Sequence, residues 1–187
     1  MIKRLFDILL SALLGVILIL PIFITFLAVR YTSKGPSLYW SDRVGRNNKL
    51  FKMPKFRSMY IDTPTLATHL LKSPDVHLTP FGKFIRKTSL DELPQLWSIL
   101  IGDMSFVGPR PALFNQDDLI SIRTSLGVHA LTPGLTGWAQ INGRDLLTIQ
   151  EKVEFDLVYL QNQSLKFDIY ILLKTLIPII NRHGVSH

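Results

Sequence analysis

The apolar positions of this chain follow three different rules. Residues 8–29 form a run of 22 residues with no charge, in which only Ser11 and Thr25 carry polar side chains. Residues 37–60 read as a hairpin: Leu38-Tyr39-Trp40 and Leu50-Phe51-Lys52 are strand-like, and Val44-Gly45-Arg46-Asn47-Asn48 supplies the turn. Pro54 makes the second strand an edge strand or ends it. Residues 61–80 lack a clear period and read as a loop. Leu93, Leu96, Trp97 and Leu100 then recur at helical spacing, and Gly102 is a stop signal. Pro94 is tolerated only near a helix start, so the spacing predicts a helix beginning at Ser89 to Asp91. Residues 133–144 read as turn, short strand, turn. Helices are predicted over 151–160 and over the strongly apolar stretch 168–178, the latter in a core or along a membrane interface. The sum is an α+β fold, mainly helical, with a small β-hairpin and interfacial amphipathic helices.

As one straight helix, the uncharged run would be about 33 Å long at ~1.5 Å per residue, enough for a hydrocarbon core of about 30 Å. A cleaved signal peptide is disfavoured, because its apolar core would be only about 7–15 residues. Pro21 breaks or bends a helix at this depth. Lys3 and Arg4 lie before the run, and Arg30 and Lys34 after it, so the positive-inside rule sets no orientation. Two arrangements stay open on the residues alone: a kinked spanning helix, or a segment that enters, bends at Pro21 and returns.

Composition narrows the class. Of 187 residues, 47% are apolar and 19% charged, and mean hydropathy is +0.24, which excludes a disordered chain. The absence of cysteine excludes a disulfide scaffold, a thiolate zinc site and a cysteine nucleophile. The net charge of +7 is concentrated in residues 30–88, where twelve Lys/Arg face three Asp. A basic middle suggests an anionic partner: phospholipid, nucleotide or nucleic acid.

Asp91-Glu92 has two readings. Ser89-x-x-Glu92 matches a capping box. The pair also suits a carboxylate nucleophile beside a second carboxylate, holding Mg²⁺ against a phosphate, because Mg²⁺ takes one or two carboxylates plus phosphate oxygens. Lys83, Arg86 and Lys87 just upstream fit a polyphosphate. In Gly108-Pro109-Arg110-Pro111, two prolines stiffen the backbone around one guanidinium, which suits bidentate phosphate recognition or, more plainly, a rigid loop. Lys49, Lys52, Lys55 and Arg57 read as the solvated face of an edge strand or as contacts to anionic headgroups. No metal-ligand spacing links the histidines, and no P-loop, Gly-x-Gly-x-x-Gly or Asp-x-Asp motif occurs. No nucleic-acid motif supports a nucleic-acid partner.

Four segments carry a resemblance: Lys55-Phe56-Arg57-Ser58-Met59, Ser89-Leu90-Asp91-Glu92-Leu93-Pro94-Gln95, Gly102-Asp103-Met104-Ser105-Phe106-Val107-Gly108-Pro109-Arg110-Pro111 and Pro133-Gly134-Leu135-Thr136-Gly137-Trp138-Ala139-Gln140-Ile141-Asn142-Gly143-Arg144. In this order they resemble the bacterial sugar transferase family, the small monotopic polyprenyl-phosphate phosphoglycosyl transferases. The resemblance implies transfer of a sugar-1-phosphate from a UDP-sugar to undecaprenyl phosphate with release of UMP, as the first membrane step of glycoconjugate assembly. It implies Asp91 as nucleophile through a covalent phosphosugar intermediate. Asp91 and Glu92 would be associated with Mg²⁺, and Arg86, Arg110 and Arg144 would face phosphate or nucleotide. It favours a re-entrant membrane helix over residues 1–30 broken at Pro21, and a catalytic domain over 31–187. The setting would be the cytoplasmic face of the bacterial inner membrane, with membrane lipid as a partner and homodimerisation left open. Thr132, Leu20 and Pro54 depart from the family pattern. The rival from another class is a membrane-anchored module that binds anionic lipid or nucleotide without turnover.

Overall fold

The uncharged run folds as two helices. The computed structural model describes residues 2–64, 73–143 and 146–181, and begins with α1 (Ile2–Ile17) and α2 (Ile19–Thr32), which meet at 64°. The break falls at Leu18, and Pro21 explains it. Proline has no N–H for the Ile17 carbonyl, and its ring would press on that carbonyl. The chain therefore ends one helix at Ile17 and starts another, placing Pro21 in the first turn of α2, where no N–H is needed. Leu20 contributes no hydroxyl, yet the bend forms. No single helix among the described residues is long and apolar enough to cross a membrane; the bent pair together meets both criteria.

The pair buries three of its polar side chains and exposes much of its apolar surface. Asp7, Ser11 and Thr25 are buried, whereas Leu9, Leu13, Val16, Phe23 and Ile24 are exposed. The charged residues at the start of α1 act as struts. Lys3 Nζ donates to Asp168 Oδ2 at 2.7 Å and to the Val107 carbonyl at 3.0 Å. Arg4 donates to the carbonyls of Ile99 and Leu100. Asp7 Oδ1 accepts from the Phe106 N–H and from Ser105 Oγ, each at 3.1 Å. The Tyr159 hydroxyl completes the cluster on Asp168 Oδ1 at 2.6 Å.

The hairpin pairs β1 (Leu38–Val44) with β2 (Leu50–Phe56), from Leu38 opposite Phe56 to Val44 opposite Leu50. Its turn sits where the sequence places it, with Asn47 and Asn48 at φ 55° and 58°, a region asparagine tolerates. The strand runs through Pro54, which an edge strand of a two-stranded sheet permits. Thr79 caps α3 (Pro80–Lys87), accepting the Gly82 N–H at 2.9 Å.

The structure departs from two sequence-based expectations around Asp91. The helix carrying Leu96 and Leu100 is α4 (Gln95–Ile101), which starts after Pro94 rather than at residues 89–91. The capping box does not form, because Ser89 is left-handed (φ 57°) and its side chain makes no cap bond. Asp91 and Glu92 instead occupy a separate 3₁₀ turn, Leu90–Glu92. Gly102 ends α4 at φ 102°, as its position predicts.

β3 (Ser105–Val107) pairs in parallel with β4 (Gly134–Thr136). The Gly108 N–H donates to the Thr136 carbonyl and the Gly134 N–H to the Pro109 carbonyl, both at 2.9 Å. The approach is close enough that a methyl on Gly134 would overlap the Gly108 backbone nitrogen. α5 (Asp117–Ser125) lies between these strands, where the pattern assigned no element. After Thr136, the expected turn is a short helix, α6 (Trp138–Ile141). The two expected C-terminal helices are α7 (Ile149–Asn162) and α8 (Leu165–Asn181). Met53, Ile99, Met104, Val107, Tyr159 and Ile171 belong to the main core.

α7 opens on a reciprocal capping box: Thr148 Oγ1 accepts the Glu151 N–H at 3.2 Å, and Glu151 Oε2 accepts the Thr148 N–H at 2.7 Å. Such a cap contributes about 1 kcal/mol. Thr148→Ala is therefore expected to lower the unfolding midpoint by about 2–4 °C in a chain of this size, read by thermal unfolding in detergent.

Candidate active site

The 3₁₀ turn after α3 places Asp91 against the inner face of the hairpin. In the β1–β2 register, Arg43 lies opposite Phe51, Ser41 opposite Met53 and Tyr39 opposite Lys55. Alternate residues share a face, so Arg43, Met53 and Lys55 point the same way. Lys55 Nζ reaches Glu92 Oε1 at 3.1 Å, and Arg110 reaches the same oxygen at 3.3 Å. Arg110 is held in place by its backbone. Arg43 donates to the Pro111 carbonyl at 3.2 Å, the Val44 N–H to the Ala112 carbonyl at 2.9 Å, and Arg123 to the Arg110 carbonyl at 2.8 Å. Arg123 is itself paired with the buried Asp156 at 2.6 Å.

The electrostatics follow from this crowding. Asp91 is 6% exposed. Burial holds its carboxyl above the ordinary aspartate range, and the Glu92 charge adds to that shift. Lys55, Arg86 and Arg110 pull the other way, Lys55 most strongly. Burial lowers the Lys55 ammonium, and Glu92 opposes it. Burial, followed by the neighbouring Arg110 charge, brings Arg43 down to about 10. One half-buried corner thus gathers three guanidiniums, an ammonium and two carboxylates.

Of the residues predicted for the site, the structure brings Asp91, Glu92, Arg86 and Arg110 together. Arg144 lies outside the described residues. Pro21 sits at the helix break, away from this corner. Arg43, Lys55 and Gln95 were not predicted. Arg43 and Lys55 carried a weak signal, because they sit on one parity of a predicted hairpin. Among the described residues, no cluster of three or more His, Asp or Glu could cage a metal ion. Two adjacent carboxylates suit a hard cation that brings phosphate or water ligands of its own.

The whole described chain matches one family. The family model for bacterial sugar transferases matches residues 1–182. The chain belongs to the bacterial sugar transferase family. Three relatives illustrate its range. The UDP-glucose:undecaprenyl-phosphate glucose-1-phosphate transferase of Escherichia coli is 41% identical over 184 residues, covering 94% of this chain and 39% of the relative. The undecaprenyl-phosphate galactose phosphotransferase of Salmonella typhimurium is 38% identical over 199 residues, covering 97% of this chain and 41% of the relative. The uncharacterized sugar transferase EpsL of Bacillus subtilis is 38% identical over 184 residues, covering 98% of this chain and 90% of the relative. The chain thus spans about two fifths of the length of the two enterobacterial relatives. In this chain, the Asp91-Glu92 turn, the Gly108–Pro111 segment and the Lys55 strand converge on one corner, although 37 residues separate Lys55 from Glu92.

Proposed function

We propose that this chain transfers a sugar-1-phosphate from a UDP-sugar to undecaprenyl phosphate, releasing UMP. The observation that carries this reading is the corner itself: a buried carboxylate beside a second carboxylate, ringed by Lys55, Arg86, Arg110 and Arg43. The name of the Escherichia coli relative contains both substrate classes, and that of the Salmonella typhimurium relative contains the lipid acceptor.

The chemistry divides into two displacements at phosphorus. Asp91 attacks the phosphorus that bears the sugar. The P–O bond to the uridylyl half breaks, and UMP leaves with that electron pair. Asp91 then carries an acyl-phosphate to the sugar. An oxygen of undecaprenyl phosphate attacks the same phosphorus, and the Asp91 carboxylate is released unchanged. Splitting one displacement into two is the ordinary advantage of covalent catalysis. Arg110 and Lys55 supply charge where the phosphoryl oxygens gather it, and Arg123 and Arg43 keep the Arg110 backbone in register. Asp91 and Glu92 are the residues that would hold Mg²⁺, which supplies charge neutralisation on the diphosphate.

The bent pair α1–α2 is read as re-entrant, so that the soluble and lipid substrates meet at one membrane surface. What supports this is the 64° bend together with the exposed apolar side chains of both helices. Because the chain has no cysteine, single substitutions report topology cleanly. Ile2→Cys and Lys34→Cys are both expected to react with a membrane-impermeant maleimide from the same side. Labelling from opposite sides would establish a spanning segment.

The reaction is tested by UMP release from detergent-solubilised protein with undecaprenyl phosphate, Mg²⁺ and a panel of UDP-sugars. UMP that requires the lipid acceptor supports transfer. A folded protein that binds UDP-sugar and yields no UMP across the panel would favour the binding-module reading.

A further inference from the structure

A narrow cleft is lined by Arg43, Lys55, Gln95, Arg110 and Gly134, among others, and shares Lys55 and Arg110 with the Asp91-Glu92 corner. Four of these residues can donate hydrogen bonds, and three of the four are cationic. Gln95 differs from the rest. It is the first residue of α4 and only 2% exposed, and its Nε2 is buried with no hydrogen-bond partner among the described residues. A buried amide donor is normally satisfied within the protein. A Leu or Met of similar volume would fill the same space without that deficit. The donor borders a cleft whose other polar members attract anions. An anionic oxygen there is the acceptor that would complete it.

We propose that Gln95 contacts substrate, donating a hydrogen bond from Nε2 to an oxygen of the phosphoryl group that Arg43, Lys55 and Arg110 surround. This rests on the phosphoglycosyl-transfer reading above. Charge on the phosphoryl oxygens rises as the bond to UMP breaks, so a fixed donor acts chiefly on the transition state. The position of Gln95 suits that role: Asp91 lies four residues earlier in the chain, and the short α4 anchors the Gln95 backbone. An acceptor oxygen of the sugar would use the same donor but would be felt mainly in substrate binding, which the kinetics separate.

The test compares wild type, Gln95→Met and Gln95→Glu in UMP release, with thermal unfolding of each. Both variants are expected to lose about 10²-fold or more in kcat, with KM within about 3-fold. The unfolding midpoint of Gln95→Met is expected to match or exceed that of wild type, because an unpaired donor is gone. A purely structural role predicts a lower midpoint and unchanged kcat per folded molecule, which would overturn the proposal. A KM effect with unchanged kcat would also overturn it, placing the contact on the ground state. If Gln95→Met does not fold, Gln95→Glu, which keeps the shape and loses both N–H donors, decides on the same criteria. If wild type releases no UMP, the transfer reading fails. The Gln95 proposal then falls with it, whereas an active wild type with unchanged kcat in both variants overturns the Gln95 contact alone.

Discussion

Asp91→Asn is expected to remove UMP release and, at the same time, to make the protein more stable. The activity arm follows from the chemistry. Asparagine cannot form the acyl-phosphate, and loss of a covalent nucleophile costs on the order of 10⁶-fold in kcat in well-studied cases, which here means background. The stability arm follows from the burial. Asp91 has a raised pKa in the folded protein, chiefly because it is desolvated. The folded state therefore holds the Asp91 proton more tightly than the unfolded chain does. The stability contributed by that proton is fully present below the unfolded pKa, about 3.9, and is lost as pH rises through the raised folded value. Asparagine never ionises, so it avoids the loss. Without Mg²⁺ or substrate, the variant should melt above wild type at neutral pH, and the two should converge in acid. The same shift predicts that wild-type activity declines, as pH falls, earlier than an ordinary aspartate would require. Melting curves at two pH values together with a pH–rate profile check both arms. A variant that melts below wild type at neutral pH would mean that Asp91 is held by attraction rather than strained by burial.

Asp156→Ala is expected to cost both stability and turnover, and the two losses can be separated. Arg123 and Asp156 are 11% and 2% exposed and lie 2.6 Å apart. Burial raises the Asp156 pKa despite Arg123, so desolvation outweighs attraction within the pair. Removing only the acid leaves Arg123 buried and uncompensated, which typically costs about 3–5 kcal/mol. Replacing both by apolar residues, Asp156→Ala with Arg123→Met, should recover much of that stability, because a buried pair contributes little net. Activity should not recover. Arg123 also donates to the Arg110 carbonyl at 2.8 Å, and without it the Pro-Arg-Pro segment loses a fixed point. Chemical unfolding of the single and double variants, with kcat measured on each, checks the split. A double variant that regains full turnover would show that Arg110 needs no such anchor.

The sequence reading succeeded wherever the signal was local. The 22-residue uncharged run, Pro21 as a break, the Asn47-Asn48 turn and Gly102 as a stop all depend on neighbours along the chain. Asp91, Glu92, Arg86 and Arg110 came forward through the family resemblance, because on spacing alone Asp91-Glu92 also reads as a capping box and Arg110 as part of a rigid loop. The start of α4 was misplaced because Ser89-x-x-Glu92 matches a capping box as well as any true one. What decides against it is the left-handed backbone at Ser89, which composition does not reveal. Lys55 was assigned to the solvent or to headgroups because its partner, Glu92, is reached only through the hairpin register and the packing of α3 behind it. Arg43 was missed for the same reason. Gln95 stands inside a segment that carries the resemblance, yet a glutamine at a helix start has no evident role until its burial and its unpaired Nε2 are seen. The short helix α6 was read as a turn, because Gly137 and Gly143 flank it and only four residues lie within it.

The central claim is that Asp91 carries the sugar phosphate. The most direct measurement is peptide-level mass spectrometry of wild-type protein mixed with UDP-sugar and Mg²⁺ without any polyprenyl phosphate. The account predicts one UMP released per active site and a sugar-phosphate adduct on the peptide containing Asp91, discharged when undecaprenyl phosphate is added. UMP that appears only in the presence of the lipid, with no adduct on that peptide, would contradict it and establish direct transfer between the two substrates.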